Sequence, residues 1–214
     1  HTRSVSAFLL NRSSDLTIES EGLGSKSSDS IVVRQMVGQI ARILESNRHP
    51  LSSRMIGSGL YYLQRIDSSR AEVRELVKQL AKTINASSGQ LYTKDLVSAM
   101  YGMHRMNSDH AEVRELLRAL VLKAGARNAE LTAYQAAQAV RGFHLLSTEA
   151  TEVVRLLEAV LPGIERCSEV LSNADIPNML TGLNRMSHEV PEVERLVLSI
   201  AAKIAASPAK LDGG

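Results

Sequence analysis

Over five consecutive copies, a residue of similar character usually stands forty positions downstream of any given residue, with no insertion between copies. Leucine opens four of them, at Leu51, Leu91, Leu131 and Leu171, and Leu211 falls where a sixth would begin. A period near forty is that of helical hairpins that stack because none can bury its apolar face alone. The predicted fold is therefore all-α, an α-solenoid of stacked two-helix (αα-hairpin) repeats of 40 residues. Its predicted organisation is an N-terminal extension (1–10) and a single solenoid domain (11–210). That domain holds a degenerate capping repeat (11–50) and repeats 51–90, 91–130, 131–170 and 171–210, and a C-terminal tail (211–214) follows it.

The second half of each repeat carries one apolar stripe at steps of three and four, the mark of an amphipathic helix B. Val73, Leu76, Val77, Leu80 and Ile84 match Val113, Leu116, Leu117, Leu120 and Ala124. Val153, Leu156, Leu157, Val160 and Ile164 match Val193, Leu196, Val197, Ile200 and Ile204. Repeat one shows the stripe as Val33, Met36, Val37, Ile40 and Leu44.

Helix A fills the first half. Ile56, Leu60, Leu63 and Ile66 correspond to Leu96, Met100, Met103 and Met106, then Ala136, Val140, Phe143 and Leu146, then Ile176, Leu180, Leu183 and Met186. Repeat one is eroded here, but Asp15, Leu16, Gly22 and Leu23 keep register with Asp95, Leu96, Gly102 and Met103.

The punctuation agrees with this division. Ser69 with Glu72 and Asp109 with Glu112 have capping-box spacing at the start of helix B, and the same reading explains why Glu152 and Glu192 recur. Ser172 with Asp175 and Thr132 with Gln135 repeat that spacing at helix A. Pro191 suits the first turn of the last helix B, while Pro177 is expected to distort its helix slightly. Gly102, Gly142 and Gly182 share a repeat position with Gly22 and Tyr62; glycine inside a helix points to close helix approach.

Composition narrows the function. Aromatics make up 3% of the chain and Trp is absent, so the core is aliphatic, with seven methionines as adaptable filler. A net charge of +2 excludes coating nucleic acid by bulk electrostatics. The single Cys167 cannot form an internal disulfide, which fits a reducing compartment or an organelle interior. Residues 1–14 are rich in Ser and Arg without an acid, a flavour shared with organelle transit sequences. Starting at His1, the chain is expected to be a processed product or part of a longer one. No apolar run approaches the roughly 18 residues of a membrane span, so no membrane insertion is expected.

The sequence contains no nucleophile elbow, phosphate-binding Gly loop, HExxH or paired-Cys zinc spacing. No catalytic residues, metal, cofactor or small-molecule substrate are expected, and the chain is read as a non-enzyme.

The informative surface is the polar stripe of helix A. Ser58, Tyr61 and Arg65 correspond to Ser98, Tyr101 and Arg105, to Gln138, Arg141 and Leu145, and to Asn178, Thr181 and Arg185. His104 and His144 sit beside them at equivalent positions. These residues change between repeats while the apolar ones barely change, as a binding surface with local specificity would. Across the four clear repeats the A segments hold six basic residues against three acidic, and the B segments thirteen against fourteen.

The runs LYTKDLVSAMYGMHRM and LTAYQAAQAVRGFHLL resemble the first helix of octotricopeptide repeats and related organellar repeat proteins. The resemblance loosely covers 51–210. This chain has Tyr101–Gly102 and Arg141–Gly142 where that family has Trp–Ala, and lacks its Pro–Pro–Glu–Trp run. The resemblance implies an α-solenoid of mitochondria or chloroplasts that binds RNA.

Two functions follow as expectations. In the first, the chain is a scaffold or docking subunit contacting protein subunits of a larger, organellar complex. In the second, helix A grips single-stranded RNA, with Arg65, Arg105 and Arg185 on phosphates and Tyr61 and Tyr101 stacking on bases.

Overall fold

The structure is a computed structural model and describes residues 30–46, 49–125 and 130–207. The expected extension (1–10), tail (211–214) and helix A of repeat one, with Asp15, Leu16, Gly22 and Leu23, lie outside the described residues.

Among the described residues the chain is all-helical, with nine α-helices and no strand. Five correspond to helix B: α1 (Ile31–Ser46), α3 (Ala71–Ala86), α5 (Ala111–Lys123), α7 (Thr151–Arg166) and α9 (Pro191–Ala206). Four correspond to helix A: α2 (Ser53–Tyr61), α4 (Thr93–Gly102), α6 (Ala133–Arg141) and α8 (Asp175–Gly182). Among the described residues, no helix is long and apolar enough to cross a membrane.

Each helix packs chiefly on the helix two along. The A helices form one row, α2 on α4 on α6 on α8, and the B helices a second, α1 on α3 on α5 on α7 on α9. The apolar stripes meet between and along the rows. Leu60, Val77, Met100, Leu117, Val140, Phe143 and Leu157 are all completely or almost completely shielded from water.

The recurring glycines set the spacing of the A row. A Cβ on Gly102 would lie 1.9 Å from the Leu60 carbonyl oxygen, on Gly142 2.6 Å from that of Met100, and on Gly182 2.0 Å from that of Val140. Each glycine meets the residue 42 positions before it, so one steric solution is used three times.

The A helices are shorter than their apolar pattern suggests. They stop at or near these glycines, and the chain continues in tight turns closed by Met103, Phe143 and Leu183 amides donating to carbonyls three residues back. In repeat two the equivalent stretch, Tyr62–Arg65, is a 3-10 turn. Leu63, Met103, Phe143 and Leu183 therefore pack from the turn rather than from the helix.

Other expectations need correcting. Helix B does not start on a capping box: Ser69 and Asp109 make no cap, and the N-caps are Arg70 and His110, whose side chains do not cap the helix. The loop is held by turns instead. Asp67 accepts from the Ser69 amide at 3.0 Å, and Asn107 from the Asp109 amide at 2.9 Å. Arg74 then reaches back to the carbonyls of Ser68 and Ser69, as Arg114 does to those of Ser108 and Asp109.

The recurring glutamates have another use. Glu72 pairs with Arg34, Glu112 with Arg74 and Glu152 with Arg118, each joining one B helix to the next. Exposed pairs of this kind contribute about 0–1 kcal/mol each, so they set register more than stability.

At helix A the box of Thr132 and Gln135 forms in full. Asp175 accepts from the Ser172 amide at 2.8 Å, but α8 itself is capped at Ala174. Pro191 stands in the first turn of α9 as expected. The other A helices begin in register at Ser53, Thr93 and Ala133, whereas α8 begins two residues late, at Asp175, so the helix start is displaced at Pro177, which lies in its first turn. α5 ends at Lys123, so Ala124 leaves the helix to form an isolated bridge with Leu91.

Candidate partner-binding face on the A row

Four residues of each A segment, spaced four, three and four apart, lie along the polar side of the row. They are Arg54, Ser58, Tyr61 and Arg65, then Lys94, Ser98, Tyr101 and Arg105, then Tyr134, Gln138, Arg141 and Leu145, then Ala174, Asn178, Thr181 and Arg185. Helices provide the first three positions of the first three sets and Asn178 and Thr181 of the fourth, and the tight turns that follow carry Arg65, Arg105, Leu145 and Arg185 as well as His104 and His144.

Much of the small polar content bonds to its own helix. Ser58 donates to the Arg54 carbonyl at 2.7 Å and Ser98 to that of Lys94 at 3.0 Å. Asn178 donates to the Ala174 carbonyl at 3.0 Å and Thr181 to that of Pro177 at 2.7 Å. Gln138, almost buried, donates to the Tyr134 hydroxyl at 2.8 Å.

Tyr61 and Tyr101 stack on one another, with ring centroids 5.7 Å apart and an angle of 25° between planes. Tyr62 meets Tyr61 edge-on at 5.9 Å, and His104 lies 5.5 Å from the Tyr101 ring. All five tyrosines of the chain sit in the A segments, and Tyr62, Tyr92 and Tyr134 are exposed. Burial holds the His104 imidazole below its usual pKa; the Tyr101 carbonyl at Nδ1 opposes this, and Arg141, Arg105 and His144 add to it. His144 bonds instead to the Thr181 carbonyl at 3.1 Å.

The arginines divide into two groups. Arg105 donates to the Arg65 carbonyl at 3.3 Å, and Arg185 repeats this on Leu145 at 3.3 Å, so both tie consecutive A segments together. Arg185 also grips both carboxylate oxygens of Asp109, at 3.0 and 3.3 Å, and the Asn107 side-chain oxygen at 2.7 Å. Its guanidinium holds the Asp109 carboxyl below the usual range. In contrast, no carboxylate among the described residues pairs with Arg54, Arg65, Lys94 or Arg141.

The structure thus brings most of the expected residues along one side of the A row, but it buries Gln138 and gives Arg105 and Arg185 a structural task. Sequence reasoning passed over Arg54, Lys94, Tyr62, Tyr92 and Tyr134. Extending the stripe by one more helical turn would have found Arg54, Lys94 and Tyr134. Another missed feature is a run of hydroxyls in the loops: Ser68, Ser108 and Thr148 accept from the amides of Asn107, Ser147 and Ser187 at 2.8–2.9 Å. Among the described residues there is no cluster of side chains able to hold a metal ion.

Comparison with models of known protein families, with curated proteins and with solved structures finds no match.

Proposed function

We propose that this protein is a non-catalytic α-solenoid, its 40-residue hairpins stacked side by side, and that it serves as a docking subunit in a larger assembly. The A row is its partner-binding face. The observation that carries this reading is the contrast between the two rows. Charges along the B row compensate one another from repeat to repeat. The A row instead presents exposed Tyr62, Tyr92 and Tyr134 together with Arg54, Arg65, Lys94 and Arg141, which pair with no carboxylate among the described residues. Tyrosine and arginine are the side chains that most often anchor protein interfaces. The unpaired Cys167 and the acid-free, Ser- and Arg-rich residues 1–14 support an organelle interior, mitochondrion or chloroplast, as the setting.

A second reading has its own support. The Tyr61–Tyr101 ring pair beside Arg65 and Arg141 resembles a stacking platform flanked by phosphate-binding cations, as single-stranded RNA requires. The likeness to octotricopeptide repeats points the same way.

Titrating the protein with mixed-sequence RNA oligomers across salt concentrations separates the two. RNA recognition predicts binding that falls steeply with salt and is lost in Arg65→Glu/Arg141→Glu. Absence of RNA binding at low salt supports docking of a protein. In that case a photo-crosslinker at residue 92 or 134 captures protein, and capture drops in Tyr62→Ala.

A further inference from the structure

The acids of the four A segments are Asp67, Asp95 and Asp175, and each is taken up within the chain. Asp95 is buried and accepts from the Ser53 hydroxyl at 2.5 Å. Asp175 is buried and accepts from the Ser172 amide, and Asp67 accepts from the Ser69 amide. Across segments 51–66, 91–106 and 131–146, Arg54, Arg65, Lys94, Arg105 and Arg141 thus stand against the buried Asp95 alone. The face is complementary to a ligand that brings negative charge.

The cations follow two lines across the row. Arg54 and Lys94 share one repeat position with Tyr134, and Arg141 shares another, seven residues further on, with Tyr61 and Tyr101. Seven helical residues rise about 10 Å, so the lines stand about that far apart. α4 and α6 pack between α2 and α8, so both lines cross the middle of the row. An extended chain laid along the row sends alternate side chains to opposite edges, and a run of carboxylates on it meets both lines.

The rings between the lines offer hydroxyls more than faces. Tyr61 and Tyr101 stack on one another, Tyr62 meets Tyr61 edge-on, and His104 leans on Tyr101. Much of their ring surface is therefore covered, whereas a stacked base needs an open face. The Tyr134 hydroxyl accepts from Gln138, which leaves its own proton to donate outward. Partial burial pushes the pKa of that hydroxyl up, Tyr61, Tyr101 and Asp175 add to this, and the group stays a donor. Phenol and guanidinium donors side by side suit a carboxylate better than a base.

We propose that the partner segment held by the A row is an acidic stretch of protein, extended across α2, α4 and α6. Its carboxylates meet Arg54 and Lys94 along one edge and Arg141 along the other, and one of them accepts from Tyr134. This rests on the reading of the A row as the partner-binding face. At 8–10 Å between packed helices, α2 to α6 spans about 16–20 Å, the length of about six extended residues.

Fluorescence anisotropy of the 214-residue chain with a labelled oligoglutamate of about eight residues tests this. Binding should weaken as salt rises, and a glycine–serine peptide of the same length should not bind. Lys94→Glu/Arg141→Glu should weaken binding about tenfold or more, and Tyr134→Phe about threefold. Lys82→Glu, an exposed change on the B row, should leave it unaltered. All these variants should keep their helical circular dichroism. No binding of oligoglutamate at low salt overturns the proposal, as does affinity that survives Lys94→Glu/Arg141→Glu or Tyr134→Phe. Tighter binding of a mixed-sequence RNA oligomer of equal charge overturns it too. The docking reading fails separately, when a photo-crosslinker at residue 134 captures no protein. Equal capture by the wild type and by Lys94→Glu/Arg141→Glu keeps the A row as a docking face and rejects the acidic segment.

Discussion

Gly102 and Gly38 are both helical glycines, yet their surroundings demand opposite outcomes from the same substitution. Gly102→Ala drives a Cβ into the Leu60 carbonyl, which cannot move without shifting α2, and should cost about 1–3 kcal/mol or more. A Cβ on Gly38 would meet nothing within 4 Å, so Gly38→Ala should stabilise the protein by roughly 0.5–1 kcal/mol through helix propensity. Urea unfolding of the two variants reads both signs. His104 makes a different kind of prediction. Its depressed pKa means the folded protein favours the neutral ring, so this stability is complete above the unfolded value near 6.5. It is lost as pH falls through the lower folded value. Thermal midpoints should drop on acidification below neutral, and His104→Gln should flatten that slope. The sequence revealed the glycine position, because a residue with low helix propensity recurring at a fixed period needs a steric cause. It did not reveal the surroundings of His104, which depend on Tyr101, Arg105, Arg141 and His144 meeting across repeats.

Between helices, the loop hydroxyls bind one repeat to the next. Ser108 is buried and accepts from the Ser147 amide, so Ser108→Ala leaves that amide without its partner at a cost of about 1–3 kcal/mol. Ser108→Thr should keep the hydrogen bond, since Thr148 fills the equivalent place, and unfolding midpoints of the two variants make the comparison. The helices themselves were legible because apolar periodicity is imposed by burial. Their boundaries were not. Glu72 and Glu112 have the spacing of caps, but their partners are Arg34 and Arg74 on the preceding B helix. A local pattern cannot distinguish a bond to its own backbone from one to a side chain 38 residues away. Likewise Tyr61 and Tyr101 were both assigned to a ligand, although side chains at one repeat position are brought ring to ring wherever A helices pack directly.

Across the molecule, stability should be greatest in the middle and decline toward the exposed ends. Leu157→Ala removes a fully buried side chain flanked on both sides and should cost about 2–5 kcal/mol. Val197→Ala, already 43% exposed, should cost less than about 1 kcal/mol. Guanidinium unfolding of both variants tests the gradient. The sequence placed Met36, Leu180 and Val197 in the core because their repeat equivalents are core; position within the period says nothing about whether a neighbour is there.

The grip of Arg185 on Asp109 passes over an entire intervening repeat. Its two ends lie in hairpins that are not neighbours in the chain, so Asp109→Asn would take away the charge and leave Arg185 holding repeat three chiefly through Asn107.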